Sequence, residues 1–169
     1  MIQLINHYEE KVAECILSIQ LPAYKVEADL IEFDGIPRLL DTVEDIKNSN
    51  ELFLGKLEGS KLVGFISVGF ISYEDTSELI DICRLVVDPN HFRKGIASEL
   101  LNYLLTVIAN DKKVVVSTGA KNVPAIMLYE RYNFKKFAEI EVEPDFYITQ
   151  LVYEGKKDLL NMNIHFDIS

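Results

Sequence analysis

The sequence contains no apolar run long enough to cross a bilayer, which argues against a membrane-spanning protein. Its first residues, MIQLINHYEE, lack the basic stretch followed by an apolar one that marks a signal peptide. No repeat, low-complexity segment or linker rich in proline, glycine and serine divides its 169 residues. We therefore expect one cytoplasmic domain, 1–169, with a packed core.

Potential metal ligands and disulfide partners are few. The two cysteines, Cys15 and Cys83, lie far apart in the sequence and form no CxxC pair. They are expected to be buried thiols in a reducing compartment, not a disulfide or a metal site. The three histidines, His7, His91 and His165, are scattered without metal-ligand spacing. The sequence therefore predicts no metal site.

Positive charge is also scarce, with 17 Lys and Arg against 27 Asp and Glu, for a net charge of −10. A long nucleic-acid interface is excluded, because such binding depends on neutralising phosphates. An acidic surface favours cationic partners through long-range attraction. The same charge is equally consistent with a role in solubility alone.

Apolar periodicity and turn residues predict a mixed α/β fold, a sheet with helices on its faces. Asn6, followed three residues later by Glu9, predicts a capped helix start. Pro22 predicts that this helix ends near Leu21. In chain order, the predicted elements are a strand at 2–5, a helix at 6–21, an irregular stretch at 23–40, a short helix at 41–50, strands at 52–57, 62–71 and 79–87, a helix at 96–109, a strand at 114–117, a helix at 124–132, and strands at 137–142 and 146–153.

The most informative segment, RLVVDPNHFRKGIASELLNYLL, runs from a buried strand through a short loop into a helix. A helix start exposes unpaired N–H groups, and the helix dipole adds partial positive charge there. Gly95 lets an anion approach the backbone closely, and Arg93 and Lys94 add full charges. The loop therefore predicts a phosphate or pyrophosphate site. The apolar face of the helix is predicted to comprise Ile96, Leu100, Leu104, Val107 and Ile108.

Taken alone, such a loop is equally consistent with an ordinary surface turn that carries two solvated cationic side chains. No GK[ST] of a Walker A loop and no GxGxxG of a dinucleotide site occurs in the sequence. These absences count against a different class of nucleotide-binding protein that uses 93–98 as its phosphate loop.

The sequence resembles the GCN5-related N-acetyltransferase (GNAT) family over about 65–153. Three segments carry the resemblance: VVDP at 86–89, RKGIAS at 93–98 followed by two leucines, and NVPA at 122–125 with LYERYNF at 128–134. The second is similar to the family's (Q/R)xxGx(G/A) loop, and the third to its N-x-x-A…LYE…GF segment. Phe92 stands where the family often has Gln or Arg, and Asn133 where it often has Gly.

The resemblance implies the GNAT-like acyl-CoA N-acyltransferase fold: a mostly antiparallel sheet with one parallel splayed pair and helices on both faces. It implies an acceptor-side half at 1–78, an acetyl-CoA-binding half at 79–153 and a tail at 154–169. Acetyl-CoA is the implied cosubstrate, with its pantetheine arm in the splayed opening, and no metal is required.

The resemblance also implies the cofactor-binding residues. Backbone groups of the strand would bond the pantetheine arm, the loop would hold the pyrophosphate, and the second helix would contact the arm. The strand residues are Leu85, Val86 and Val87. The loop residues are Phe92, Arg93, Lys94, Gly95, Ile96, Ala97 and Ser98. The residues of the second helix are Asn122, Ala125 and Tyr129. The alternative role of the strand residues is plain core, and that of Asn122 is a helix N-cap.

Three residues are candidates for catalysis. Tyr129 would donate a proton to the departing CoA thiolate, since a phenol with a pKa of about 10 is protonated at neutral pH. The alternative role of Tyr129 is packing against the sheet, and this is the role that we expect for Tyr132. Glu78 or Asp81 would take the proton of the attacking amine, unless water does so. Glu78 is also expected at a solvated strand end, and Asp81 shares a face with Cys83.

The acceptor pocket of this family lies between the early loop-helix region and the last hairpin, and acidic residues occur in both. They are Glu27, Asp29, Glu32 and Asp34, then Glu141, Glu143 and Asp145, with Tyr24 and Phe146 as an aromatic wall. Carboxylates there favour a cationic acceptor, such as a polyamine, an aminoglycoside-like molecule, or a lysine or N-terminal amine of a peptide. Solvated acidic loops are the alternative.

The predicted function is N-acetyl transfer from acetyl-CoA to a primary amine of a small molecule or peptide, by direct attack in a ternary complex. The alternative is a non-catalytic acyl-CoA-binding or regulatory module on the same fold. Neither nucleic acid nor membrane is expected as a partner. Ile164, Phe166 and Ile168 alternate in the tail and predict an edge strand, through which a homodimer is possible.

Overall fold

The computed structural model describes residues 1–72 and 78–155, in two compact units. The first unit comprises Met1–Gly69 and Ile82–Asn102. The second comprises the described parts of Phe70–Asp81 and Tyr103–Ser169. The strand predicted in the tail lies outside the described residues.

The first unit holds most of the elements, in the strand order β1-β2-β3-β4. They are β1 (Ile2–Leu4), α1 (Glu10–Ile31), a 3-10 turn (Pro37–Leu40), α2 (Val43–Lys47), β2 (Leu52–Glu58), β3 (Lys61–Ser72), β4 (Glu78–Val87), a second 3-10 turn (Pro89–His91) and α3 (Ile96–Tyr103). The last residues of β3, the first residues of β4 and the last residue of α3 belong to the second unit. Pairing of β1 with β2 and of β2 with β3 is antiparallel.

The second unit has the strand order β5-β7-β6, with both pairings antiparallel. Its elements are a π-helical turn (Leu104–Ala109) that continues α3, then β5 (Lys113–Gly119), α4 (Val123–Arg131), β6 (Lys135–Glu143) and β7 (Phe146–Tyr153). Apart from the helix at 6–21 and the irregular stretch at 23–40, every helix and strand predicted within the described residues is present, with bounds that differ by a few residues. Asn133, which follows α4, has a left-handed φ of 69°, a conformation that asparagine tolerates at the end of a helix.

The predicted start of α1 at Asn6 is wrong. The carbonyl of the Asn6 side chain accepts a hydrogen bond from the Tyr8 N–H at 3.2 Å, and its amide donates to Glu9 at 3.2 Å. These bonds close a turn, and the helix begins only at Glu10. The same residue types that cap a helix also stabilise such turns, and the sequence does not separate the two uses.

The predicted end of α1 near Leu21 is also wrong, because the helix continues through Pro22 to Ile31. A proline inside a helix costs about 3 kcal/mol. The turns beyond it bury Ala28 and Ile31 at 8% and 2% exposure, and this burial compensates for the lost hydrogen bond. Much of the stretch 23–40 is therefore regular helix.

Two predictions of burial also fail. Val107 was expected on the apolar face of its helix but is 56% exposed, whereas Ala109 is fully buried. The reason is the π-helical turn Leu104–Ala109, whose wider repeat shifts the buried face. Cys15 is exposed and Cys83 half-buried, so neither is the buried thiol that we predicted.

The core of the first unit lies between α1, α2 and strands β2, β3 and β4. Each large side chain buried there contributes about 1.5–3 kcal/mol by leaving water. The buried members of this cluster are Ala13, Ile16, Ile19, Ile46, Phe53, Phe65 and Val86.

Arg84 of β4 lies in this core and is 2% exposed. Its guanidinium donates to a carboxylate oxygen of Glu51 at 2.5 Å and to one of Asp41 at 3.1 Å. It also lies 5.4 Å from the centre of the Phe53 ring. The buried charge is thus neutralised on two sides and rests on an aromatic face.

The partners of Arg84 belong to other elements of the first unit. Ser67 of β3 donates to Glu51 at 2.7 Å, and the amide of Gln20 in α1 donates to Asp41 at 2.7 Å. Burial raises the pKa of Glu51, but the bond from Ser67 and the charge of Arg84 outweigh it and hold this pKa below its usual value. The network therefore joins β4 to α1, to β3 and to the residues that flank α2.

Gly64→Ala should lower the free energy of unfolding by about 1–3 kcal/mol. A Cβ at Gly64 would stand 2.8 Å from Ile96 Cγ2 and 3.0 Å from the Val86 carbonyl oxygen. Gly69→Ala is the matched control in the same strand, since its Cβ would meet only Cys83 Sγ at 3.7 Å. Urea denaturation of both variants checks this, and equal losses would contradict the proposed close approach at Gly64.

Glu51→Gln should lower the free energy of unfolding at pH 7 by about 2 kcal/mol. The lowered pKa means that Glu51 stabilises the fold above its ordinary pKa of 4.5 and loses this effect as the pH falls through the folded-state value. The difference in free energy of unfolding between variant and wild type, measured by urea denaturation, should therefore be smaller at about pH 3.5 than at pH 7. Exposed Glu44→Gln is the control, and a gap independent of pH would contradict the ion pair.

Candidate active site

The predicted anion loop follows β4 directly in the first unit. Asp88 accepts a hydrogen bond from the Asn90 N–H at 3.0 Å and so caps the 3-10 turn. The Asp88 N–H donates to the Val63 carbonyl at 2.9 Å, which ties the end of β4 to β3. The loop thus starts from a fixed position at the end of the sheet.

The loop itself is exposed and sharply bent. Arg93 and Gly95 have φ angles of 63° and 77°, in the left-handed region that favours glycine. Nothing lies within 4 Å of the position of a Cβ at Gly95. Arg93, Lys94 and Gly95 are all exposed, so the loop leaves open space beside two positive side chains.

Helix α3 begins immediately after this bend, at Ile96. Its first intrahelical bond runs from the Glu99 N–H to the Gly95 carbonyl at 3.0 Å, so the N–H groups of its first turn have no acceptor within the helix. The carboxylate of Glu99 pairs with Lys56 at 2.6 Å, which offsets its negative charge. The helix start therefore retains the positive character that suits an anion.

Strand β4 presents two different faces. Val86 is 2% exposed and packs in the core, as its alternative role predicted, whereas Leu85 and Val87 are half-buried on the opposite face. The loop residues Phe92 and Ile96 are 41% and 4% exposed, so Ile96 anchors the helix start and Phe92 faces outward. The predicted residues of this strand and of the loop, including Ala97 and Ser98, thus form one continuous segment.

In the second unit, Asn122 is the N-cap of α4. Its side-chain oxygen accepts from the Ala125 N–H at 3.3 Å, and its amide donates to Thr118 of β5 at 3.3 Å. The N-cap role that we set beside pantetheine binding is therefore confirmed. Thr118 connects this cap to the end of β5, which holds the helix start in place.

Tyr129 lies in α4 and is 4% exposed. Its ring centre is 5.3 Å from that of Phe134, which is in turn 5.6 Å from that of Tyr153. Tyr132 is half-buried. The phenol of Tyr129 is thus held by aromatic packing on a rigid helix, and its catalytic role stays a prediction.

The two candidate bases stand at the start of β4. Glu78 is exposed and pairs with Lys112 at 3.4 Å, which fits the solvated strand end expected as its alternative. Asp81 is half-buried on the same face as Cys83, the alternation that was predicted. Their roles in proton transfer stay predictions.

The predicted acidic residues are mostly on the surface. Glu27 is half-buried and the other six are exposed, namely Asp29, Glu32, Asp34, Glu141, Glu143 and Asp145. Tyr24 is half-buried, and both its burial and the charge of Glu27 raise its pKa above the usual value. Phe146 is half-buried at the start of β7.

Two features escaped the sequence reasoning. One is the Arg84 network, which the alternation of Arg84 with buried Ile82 and Val86 could have signalled, because a charge at such a position needs partners. The other is a groove of about 570 Å³ on the first unit. Its lining comprises Cys15, Ser18, Ile19, Pro22, Ser60, Lys61, Leu62, Asp88, Pro89 and Asn90.

Within residues 1–72 and 78–155, no group of three or more His, Cys, Asp or Glu side chains is arranged to hold a metal ion. In the same part of the chain, no helix is long and apolar enough to span a membrane.

Two sequences found by comparison are similar to this chain. UPF0157 protein YqkA of Bacillus subtilis (strain 168) is 42% identical over 136 residues, 80% of this chain and 38% of that protein. An N-alpha-acetyltransferase of Saccharolobus solfataricus is 30% identical over 104 residues, 56% of this chain and 62% of that protein. The matched part therefore covers well under half of the first relative's length and less than two thirds of the second's.

Solved structures share the fold. An N-acetyltransferase from Staphylococcus aureus Mu50 has a TM-score of 0.70 at 20% identity, with 92% of this chain and 98% of that one covered. A yncA acetyltransferase from Salmonella typhimurium, solved with acetyl-CoA, has a TM-score of 0.66 at 17% identity, with 91% and 92% covered. These likenesses confirm the predicted fold class, a mixed α/β fold, and the strand pairings described within each unit are antiparallel.

A family model matches residues 6–134, which is more than half of the chain and includes both the anion loop and α4. The family is described as the acetyltransferase (GNAT) family. The match confirms the predicted family, that of an acyltransferase, and extends the resemblance from about 65–153 to the first half of the chain. The chain therefore belongs to the acetyltransferase (GNAT) family.

Proposed function

We propose that this chain is a cytoplasmic N-acetyltransferase that transfers an acetyl group from acetyl-CoA to a primary amine by direct attack within a ternary complex. The observation that carries the proposal is the exposed, left-handed loop at the start of α3, in a chain of this family. In this proposal, 79–153 binds acetyl-CoA and 1–78 contributes to the acceptor side.

The loop is suited to the diphosphate of CoA. Open space at Gly95 allows a phosphate to approach the backbone at the start of α3, where the N–H groups of the first turn have no acceptor within the helix. Arg93 and Lys94 are exposed and add two full positive charges. A diphosphate needs both the directional donors and the charge, and this segment supplies them within a few residues.

The pantetheine arm is assigned to backbone groups of β4 and to α4. A strand offers its N–H and C=O groups to an extended ligand as it would to another strand. Among these strand residues, Val86 has its side chain in the core, whereas Leu85 and Val87 are half-buried on the opposite face. Asn122 and Ala125, at the start of α4, are proposed as further contacts of the arm.

The chemical step is the formation of an amide at the expense of a thioester. The nitrogen lone pair of the amine attacks the acetyl carbonyl carbon, and the tetrahedral intermediate then expels the CoA sulfur with the electrons of the C–S bond. Tyr129 donates its phenolic proton to that thiolate, and the ammonium proton leaves to water or to Asp81. Tyr129 is afterwards reprotonated from solvent, so the proton balance closes.

Among the predicted acceptors, the N-terminal amine of a peptide is favoured. Its pKa of about 7.7–8.0 leaves a useful neutral fraction near pH 7.5, whereas a lysine, at about 10.4, needs a strong base. Glu78 is engaged by Lys112 and exposed, so it is a poor base. The relative from Saccharolobus solfataricus is described as an N-alpha-acetyltransferase, which agrees with this acceptor class.

Gly95→Glu should weaken CoA binding by about tenfold or more, because a carboxylate would occupy the space assigned to the diphosphate. Gly59→Glu is a matched control, since Gly59 has a φ of 61° and also has nothing within 4 Å of its Cβ position. Both variants carry the same backbone strain and the same added charge. Calorimetric titration with CoA checks this, and equal affinities in the two variants would refute the loop assignment.

Tyr129→Phe should lower kcat by about a hundredfold while the Kd for CoA stays within about twofold. The phenyl ring preserves the packing against Phe134, so the loss would come from the missing hydroxyl. Tyr132→Phe is the control and should retain full activity.

Thiol release from acetyl-CoA with an amine peptide measures these rates. Unchanged kcat in Tyr129→Phe would remove Tyr129 from the mechanism. Tight CoA binding without turnover of any amine, in the unaltered chain, would favour the non-catalytic acyl-CoA-binding module.

A further inference from the structure

Strand β6 forms one edge of the sheet in the second unit. Within the described part of the chain, β7 pairs with one side of β6 and no strand pairs with the other. All nine residues of β6 are exposed or half-buried, and Phe137, Ile140 and Val142 are 55%, 41% and 49% exposed. An exposed edge of this length is a surface on which another strand can pair.

The charges of β6 are divided between its ends. The strand reads KKFAEIEVE, with Lys135 and Lys136 at its start and Glu139, Glu141 and Glu143 toward its end. Glu141 accepts a hydrogen bond from Tyr147 at 2.8 Å, which raises the pKa of Tyr147. Within 1–72 and 78–155, the other four charged residues of β6 form no ion pair. The edge therefore carries opposite charges at its two ends.

This pattern is complementary to itself in one orientation only. In an antiparallel pair centred on Glu139, Lys135 of each copy lies opposite Glu143 of the other, so two opposite-charge pairs flank the single like-charge pair of Glu139 with Glu139 at the axis. A parallel pair would instead bring like charges together, which is unfavourable.

The backbone of β6 limits the extent of such pairing. The register to β7 shifts between Lys136 and Ala138 and again between Glu141 and Glu143, so Phe137 and Val142 are the extra residues of two bulges. Bulges discourage edge pairing, and here they leave four regular residues, 138–141, between them. Side chains must therefore contribute much of the contact, and the exposed Phe137, Ile140 and Val142 are available for it.

We propose that β6 is the surface through which two copies of this chain pair, antiparallel about a twofold axis. A twofold axis uses the same patch on both copies, and this requires the self-complementary charges that β6 has. The proposal is independent of the proposed function, because it concerns the edge of the second unit and not the anion loop.

A charge-swap experiment on the full chain tests this proposal. In the acidic-edge variant, Lys135→Glu and Lys136→Glu leave two acidic edges that repel. In the basic-edge variant, Glu139→Lys and Glu143→Lys leave two largely basic edges, and Glu141 keeps its bond to Tyr147. The dimer of each variant alone should have a dissociation constant at least about tenfold higher than that of the wild type, and an equimolar mixture of the two variants should recover the dimer.

Sedimentation velocity over a range of concentrations measures the association. Lys11→Glu with Lys25→Glu, and Glu10→Lys with Glu14→Lys, change the net charge equally at exposed positions of α1 and should leave the dimer unchanged. Circular dichroism of all variants verifies that each is folded.

The proposal is overturned if the wild type is monomeric at every concentration. It is also overturned if the dimer ignores both edge variants, or if mixing them fails to restore it. Recovery of the dimer on mixing cannot arise from simple destabilisation of the fold. Two destabilised chains would associate no better with each other than each does with itself.

Discussion

The guanidinium of Arg84 lies inside the first unit, and the placement of its neighbouring elements depends on the charges that surround it. Its ion pairs to Glu51 and Asp41 join β4 to the residues on either side of α2. An unpaired charge at 2% exposure would cost several kcal/mol, so the partners must stay where they are. Gln20 transmits the same constraint to α1 through Asp41.

The position of β4 in turn determines where the anion loop can form. The strand ends at Val87, the Asp88 N–H is bonded to β3, and the loop bends through left-handed residues into α3. Gly64 allows Ile96 to approach the sheet closely, which seats the helix start against it. The open space at Gly95 is therefore backed by packed, bonded structure, as a binding site for a strongly charged group requires.

The sequence was most informative where structure is decided locally. The loop at 93–98 and the cap at Asn122 depend on residues within one turn of each other, and both were predicted. The end of α1 was not, because the cost of Pro22 is offset by burial of residues against the rest of the unit. Arg84 finds its partners 43 and 33 residues away in the sequence, and no local pattern specifies them.

The central claim is acetyl transfer to an amine from a cofactor held at the α3 loop. The most direct measurement incubates the full chain with acetyl-CoA and a peptide that has a free N-terminal amine, and follows peptide mass together with free thiol. We expect a peptide heavier by one acetyl group and one thiol released for each acetylated peptide, in wild type but not in Gly95→Glu. Heat of CoA binding without acetylation of this peptide, of a lysine peptide or of a polyamine would contradict it.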